Sequence, residues 1–171
     1  MKNKINFDLL EKHLLVSSEL DLYLDLVSIV KANMEHPEWL GDFSKEDYES
    51  MLNHNCHILI YTYHEEFIGA GMLIPAREKD LEKFGLSHLS INEVVDYGPQ
   101  MVHPNYTGNG LQCEINRDLD ELARQEHYEY AVSTVHPDNL LSIQNLLKSD
   151  FTKIGKLDLK RGPRNIYSKT L

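Results

Sequence analysis

The stretch that most constrains the fold runs from Glu93 to Leu122. It opens with "EVVDYGPQMV", rich in β-forming residues, and passes through a Gly-Asn-Gly turn at 108–110. Beyond the turn, Leu111, Ile115, Leu119 and Leu122 recur at steps of four, four and three. That spacing is the core-facing stripe of a helix over about 110–126, because residues three and four apart share one face. A strand that turns through glycines into such a helix sets a sheet against a helix layer. Gly98 and Pro99 interrupt the strand. Proline has no N–H for the ladder and glycine no side chain to pack, so the pair predicts a bulge, or a strand that splays from its neighbour.

The rest of the chain repeats the same two periods. Leu22, Leu26, Ile29 and Val30 predict a helix over about 19–34, with Ser18 and Asp21 as a capping pair. Ser44 and Asp47 repeat that signal for a short helix over about 45–53. Between them "MEHPEWLGDF" reads as a loop and carries the only tryptophan. "HILIYTY" (57–63) and "FIGAGMLI" (67–74), separated by "HEE", read as an antiparallel hairpin. "PAREKDLEKFGLSHLS" is polar, with room for a short helical turn. "EYAVSTV" (129–135) is the next strand. Asp138 or Asn139 can cap a helix over about 139–149, with Leu140, Ile143, Leu146 and Leu147 inward. "FTKIGKLDL" and "RNIYSKTL" close the chain as two strands. The expected fold class is α/β, a mixed α+β sheet with helices on its faces. No repeat or Pro/Gly-rich linker breaks the chain, so residues 1–171 are expected to form a single domain.

Charge and cysteine content narrow the function. There are 17 Lys and Arg against 27 Asp and Glu, a formal net charge of -10. That excludes non-specific nucleic-acid binding, which needs a basic surface, and mildly favours a cationic substrate. No apolar run approaches the roughly 20 residues that span a bilayer, so no membrane partner is expected. The N-terminus, "MKNKINFDLLEKHLL", lacks the apolar core and cleavage site of a signal peptide. Cys56 and Cys113 are too few for a disulfide framework, and a cytoplasmic location is expected. "HNCH" (54–57) with His64 fits no zinc spacing, so no metal is expected. Cys113, one turn into its helix, reads as structural. "NYT" is a glycosylation sequon without meaning in a cytosolic protein.

Gly108 and Gly110 can take positive φ and put no side chain between backbone and ligand. The amides of Thr107, Gly108, Asn109, Gly110 and Leu111 could then converge on an anion, helped by the dipole and unpaired N–H groups of the helix start. A Walker loop is absent, and a dinucleotide fingerprint fails because position 113 is Cys. A nucleotide-binding domain using this turn stays open as one reading.

"VHPNYTGNGLQ" resembles the acetyl-CoA motif Q/R-x-x-G-x-G/A of the GNAT superfamily of N-acetyltransferases, which follows a strand and often "V-x-P". Val102, Pro104, Gly108 and Gly110 match, and Asn105 stands at the Q/R position. "VHPDNLLSIQNLLKSDF" resembles the later N-x-x-A/S segment. There Asn139, Ser142 and Phe151 match, Asp150 replaces the usual glycine, and Leu146 stands where a tyrosine often protonates the leaving thiolate. The motifs cover about residues 94–171.

The resemblance implies a mostly antiparallel sheet of six or seven strands with a splayed parallel pair, and about four helices on both faces. It implies acetyl-CoA as co-substrate, with no metal and no acyl-enzyme. Backbone groups of Met101 and Val102 would pair with pantetheine, 107–111 would hold the pyrophosphate, and Asn139 and Ser142 would sit near pantetheine or the sulfur. An N–H near Met101 would polarise the thioester carbonyl. An acceptor ammonium must lose a proton before it can attack, and Glu93 and Asp96 are the carboxylates available on the strand. Asp96 is the choice because an even spacing puts it on the face of Val102 in a regular strand. Trp39, His36, Tyr23 and Tyr97 are candidates for contacting the acceptor. The expected activity is transfer of an acetyl group to a primary amine of a small molecule or peptide. The rival is a non-catalytic acyl-CoA-binding sensor or interaction module. A homodimer stays open.

Overall fold

The computed structural model describes residues 2–41 and 43–171, so one position of the tryptophan loop, Asp42, and the first residue of the expected domain lie outside the described residues. The chain builds β1 (Glu11–Leu14), α1 (Leu20–Ala32), α2 (Lys45–Leu52), β2 (His57–Tyr63), β3 (Glu66–Pro75), α3 (Glu78–Phe84) and β4 (Val94–Tyr97). It continues with β5 (Met101–Val102), α4 (Leu111–Gln125), β6 (Tyr130–Val135), α5 (Leu140–Lys148), β7 (Thr152–Leu159) and β8 (Gly162–Thr170). Among the described residues the strands form one 8-stranded sheet in the order β1-β2-β3-β4-β6-β8-β7, with β5 on β3. β4 and β6 run parallel, while β1–β2, β3–β4, β3–β5, β6–β8 and β7–β8 are antiparallel. The mixed α/β class is the expected one. The strand count is higher because β1, only 4 residues long, is too short to carry an alternation, and because the run 93–102 arrives as two strands. The polar stretch after β3 forms a full helix, α3, ended by Gly85 at φ 72°.

The chain divides into two compact units, one ending at Met72 and resuming over Pro99–Ile115, the other made of Leu73–Gly98 and Asn116–Leu171. In the first unit, α1 buries Leu20, Tyr23, Leu26, Val27 and Val30. Tyr48 of α2 meets Tyr23 edge-on at 5.2 Å. The buried stripe is rotated from the expected one, since Leu22 and Ile29 are exposed and Tyr23 and Val27 are buried instead. Ser44 caps α2 as its spacing predicts, its Oγ accepting from Asp47 N–H at 3.1 Å. Ser18 does not cap α1: Glu19 stands at the N-cap without a side-chain bond to the helix, and its carboxylate instead accepts from Val16 N–H at 3.2 Å across the 3-10 turn Ser17–Glu19. Gly69 lets α4 seat closely on β3, since a Cβ there would come within 2.9 Å of Leu111 Cδ2 and make that side chain shift.

In the second unit, α3 covers a cluster of Ala76, Leu81, Leu86, Val94, Val132 and Ile166. Tyr97 donates to Asp120 Oδ1 at 2.6 Å, and Lys169 Nζ bridges Asp120 Oδ2 at 2.6 Å and Ser149 O at 2.9 Å. This buried network ties α4, β4, β8 and the end of α5 together, and burial with the Asp120 charge pushes the Tyr97 phenol well above its usual range. α5 departs from expectation. Leu146 is buried, but Leu140 is 64% and Leu147 53% exposed.

Candidate active site

β4 and β5 lie along β3 with a shift between them. Tyr97 opposes Leu73 and Met101 opposes Ala70, so four steps on the outgoing chain face three on β3. One extra residue is therefore absorbed at 98–100, the bulge that Gly98 and Pro99 predict. The bulge overturns the parity argument, because a regular strand would put Asp96 and Val102 on one face and the extra residue shifts that relation by one. The parallel ladder of β4 with β6 runs from Val94↔Tyr130 to Asp96↔Val132.

The hydrogen-bond phase decides which backbone groups are available to a ligand. His103 N–H donates to Ile68 O at 2.8 Å. In an antiparallel ladder hydrogen-bonded pairs alternate, so two residues back Met101 and Ala70 form another such pair. Both polar groups of Met101 therefore face β3, and those of Val102 face the other way. The Met101 amide expected to polarise a thioester is committed to the sheet, whereas the amides of Gly98 and Gln100 donate to no protein acceptor among the described residues.

After β5 the chain makes a short 3-10 turn over Pro104–Tyr106. His103 Nδ1 accepts from Asn105 N–H at 3.2 Å, and Thr107 Oγ1 donates to Pro104 O at 3.1 Å. Gly108 and Gly110 both stand at φ 83°, and among the described residues no heavy atom beyond the two chain neighbours lies within 4 Å of where either Cβ would be. Gly110 O accepts from Cys113 and Glu114 N–H, which starts α4. Among the described residues the amides of Thr107, Gly108, Asn109, Gly110, Leu111 and Gln112 donate to no protein acceptor. Six unpaired N–H groups on an open turn at the positive end of a 15-residue helix make an anion cradle.

The side chains in the turn are structural. Asn109 Nδ2 donates to Tyr106 O and Asn3 O, both at 2.8 Å, and its Oδ1 accepts from Ile5 N–H at 3.2 Å. Asn3 N–H in turn donates to Asn105 O at 2.6 Å. The sequence reading missed this N-terminal segment altogether, since nothing periodic marks it.

Of the two candidate bases, Glu93 is committed to a turn, its Oε2 accepting from Ser90 N–H at 2.6 Å. Asp96 is raised from 3.8 to about 7, first by burial, then by the Asp80 charge, with Arg161 and Arg77 opposing. A carboxyl poised near neutrality suits proton abstraction. Asp80, Arg77 and Arg161 were not legible as its neighbours. Arg77 and Asp80 close the start of α3 through a two-point pair, Nε to Oδ2 at 2.6 Å and Nη2 to Oδ1 at 3.1 Å.

Among the acceptor candidates, Tyr23 and Tyr97 are core residues. His36 and Trp39 stack at 4.3 Å on the loop before α2 and keep surface exposure. Asn139 caps α5, its Oδ1 accepting from Ser142 N–H at 3.2 Å, which leaves Nδ2 to meet a ligand. Among the described residues no group of three or more His, Cys, Asp and Glu could hold a metal ion.

No protein-family model matches the chain and no curated protein matches it by sequence. Its fold does match solved structures. An acetyltransferase of the GNAT family from Streptococcus pneumoniae superposes with TM-score 0.73 at 14% identity, over 95% of this chain and 99% of that one. Ribosomal-protein-alanine N-acetyltransferase from Brucella melitensis does so with TM-score 0.73 at 16% identity, over 94% and 99%. Aminoglycoside acetyltransferase AAC(6')-Ib, in complex with coenzyme A and kanamycin, follows with TM-score 0.71 at 18% identity, over 94% of each chain. The chain has the fold of the GNAT acetyltransferases.

Proposed function

We propose that this chain is an N-acetyltransferase that moves an acetyl group from acetyl-CoA to a primary amine. The observation that carries the reading is the open Gly-Asn-Gly turn with its unpaired amides at the start of α4, in a fold matched by an acetyltransferase solved with coenzyme A. The amides of 107–112 would take the pyrophosphate. Val102, whose backbone faces away from β3, would pair with the pantetheine arm in place of Met101, and Nδ2 of Asn139 and the Ser142 hydroxyl would meet its far end. Asp96 would take a proton from the acceptor ammonium. The freed lone pair attacks the thioester carbonyl carbon, and the resulting oxyanion is met by the unengaged amides of Gly98 and Gln100. Collapse breaks the C–S bond. The nitrogen loses its second proton to solvent, and water protonates the thiolate, since the tyrosine position is occupied by the buried Leu146.

Two of the three named neighbours carry an acceptor in their names, ribosomal-protein alanine in one and an aminoglycoside in the other, and both are compatible with an amine acceptor here. The net charge of -10 favours a small cationic amine over a peptide. Leu146 also supports a second reading, an acyl-CoA sensor without turnover. Both readings take the chain as a single cytoplasmic domain. The test is acetyl-CoA binding by calorimetry, followed by thiol release across a panel of polyamines, aminoglycosides and peptide amines. Binding with thiol release is the expected result. Binding without release across the panel would move the assignment to the sensor, and no binding would end both readings.

A further inference from the structure

The glycine turn has amides for phosphate but no lysine or arginine in its own stretch of sequence. From Phe84 to Asn116 the sequence has no lysine or arginine. Beside the turn Lys12 pairs with Glu114, in the first turn of α4, at 2.6 Å. Glu66 is also near, accepting from Tyr106 OH at 2.9 Å. The nucleotide end of CoA carries a pyrophosphate and a 3′-phosphate, and the one lysine beside these carboxylates, Lys12, is already paired with Glu114, which leaves the phosphates chiefly backbone dipoles.

The N-terminal segment supplies what is missing. Asn3 is pinned to the turn from both sides of its peptide, its N–H donating to Asn105 O at 2.6 Å and its C=O accepting from Asn109 Nδ2 at 2.8 Å. Ile5 N–H bonds Asn109 Oδ1 at 3.2 Å and Asn6 N–H bonds Tyr63 OH at 3.3 Å, so the segment is held along several residues. Lys2 and Lys4 flank the pinned residue, both exposed, and neither forms an ion pair among the described residues. In a chain of net charge -10, two uncommitted lysines fastened to a phosphate-type turn are out of keeping with a merely solvated surface. Resting on the acetyl-CoA reading above, we propose that Lys2 and Lys4 bind the phosphates of the nucleotide end of CoA and belong to the site. Lysine suits this role as a mobile point charge that needs no fixed geometry.

The full chain, K2Q/K4Q and the charge-matched K153Q/K156Q on β7 separate this from a general charge effect. Calorimetry with acetyl-CoA at low salt is expected to show K2Q/K4Q binding about tenfold more weakly, with a flatter salt dependence, and K153Q/K156Q within about twofold of the parent. Turnover of S-acetyl-N-acetylcysteamine, which has no phosphate, is expected to be equal in all three. K2Q/K4Q binding acetyl-CoA as tightly as the parent, or K153Q/K156Q weakening as far, would overturn the proposal while leaving the acetyl-CoA reading intact. A parent chain that does not bind acetyl-CoA would bring down both.

Discussion

Asp96 is the residue whose environment says most about chemistry. In water its carboxyl would titrate near 3.8, and here burial and the Asp80 charge hold the proton on to about 7. The folded chain therefore binds that proton more tightly than the unfolded chain, so Asp96 costs stability as pH rises from about 4 to about 7. Asp96→Asn is expected to raise the urea midpoint relative to the parent at pH 8 and to change it little at pH 4. If Asp96 is the base, the parent kcat/KM climbs through a pH near 7, and Asp96→Asn lowers it and abolishes that limb. A variant that keeps the limb would remove Asp96 from the mechanism. Sequence narrowed the choice to Glu93 and Asp96, but not to one of them on sound grounds. The parity that favoured Asp96 assumed a regular strand, whereas the decision rests on Glu93 being tied to Ser90 and on Asp96 being half-buried, desolvated and under the Asp80 charge.

At the scale of elements, helix boundaries were legible and helix faces were not. Ends are local: Ser44, Asn139 and the glycines stop or start helices through bonds to their own neighbours. The end of α5 is a case in point. Asp150 N–H donates to Leu147 O at 3.3 Å and Phe151 N–H to Leu146 O at 3.1 Å, which puts Asp150 at φ 64°. That is the left-handed position where glycine is usual, and it explains why a glycine is expected at 150 by family resemblance. Asp150→Gly is expected to stabilise the protein by about 0.5–1 kcal/mol after the extra freedom of an unfolded glycine is counted. A thermal scan should register this as a rise of about 1–4 °C in Tm. Faces depend on what else arrives. Leu140 and Leu147 fit the inward stripe of α5 by spacing and are exposed, while Leu146 is buried and Ile143 half-buried.

For the whole molecule, connectivity is the telling feature. The chain passes between its two units after Met72, Gly98 and Ile115, and the first and last of these crossings fall inside β3 and α4. Melting one unit must fray a strand and a helix that also belong to the other, so we expect a single unfolding transition with equal calorimetric and van't Hoff enthalpies. Two resolved transitions would show instead that the units unfold independently. Sequence by itself determined the mixed α/β class, the order of its principal elements and the Gly-Asn-Gly turn, because period, capping and positive φ are properties of neighbours along the chain. Only the tertiary structure decided that Met101 is committed to β3 while Val102 is not, that Asp96 keeps its proton to about 7, and that Asn3 holds Lys2 and Lys4 beside the turn. Each of those depends on register, burial or a bond between distant residues, and a linear pattern carries no record of which distant groups will meet.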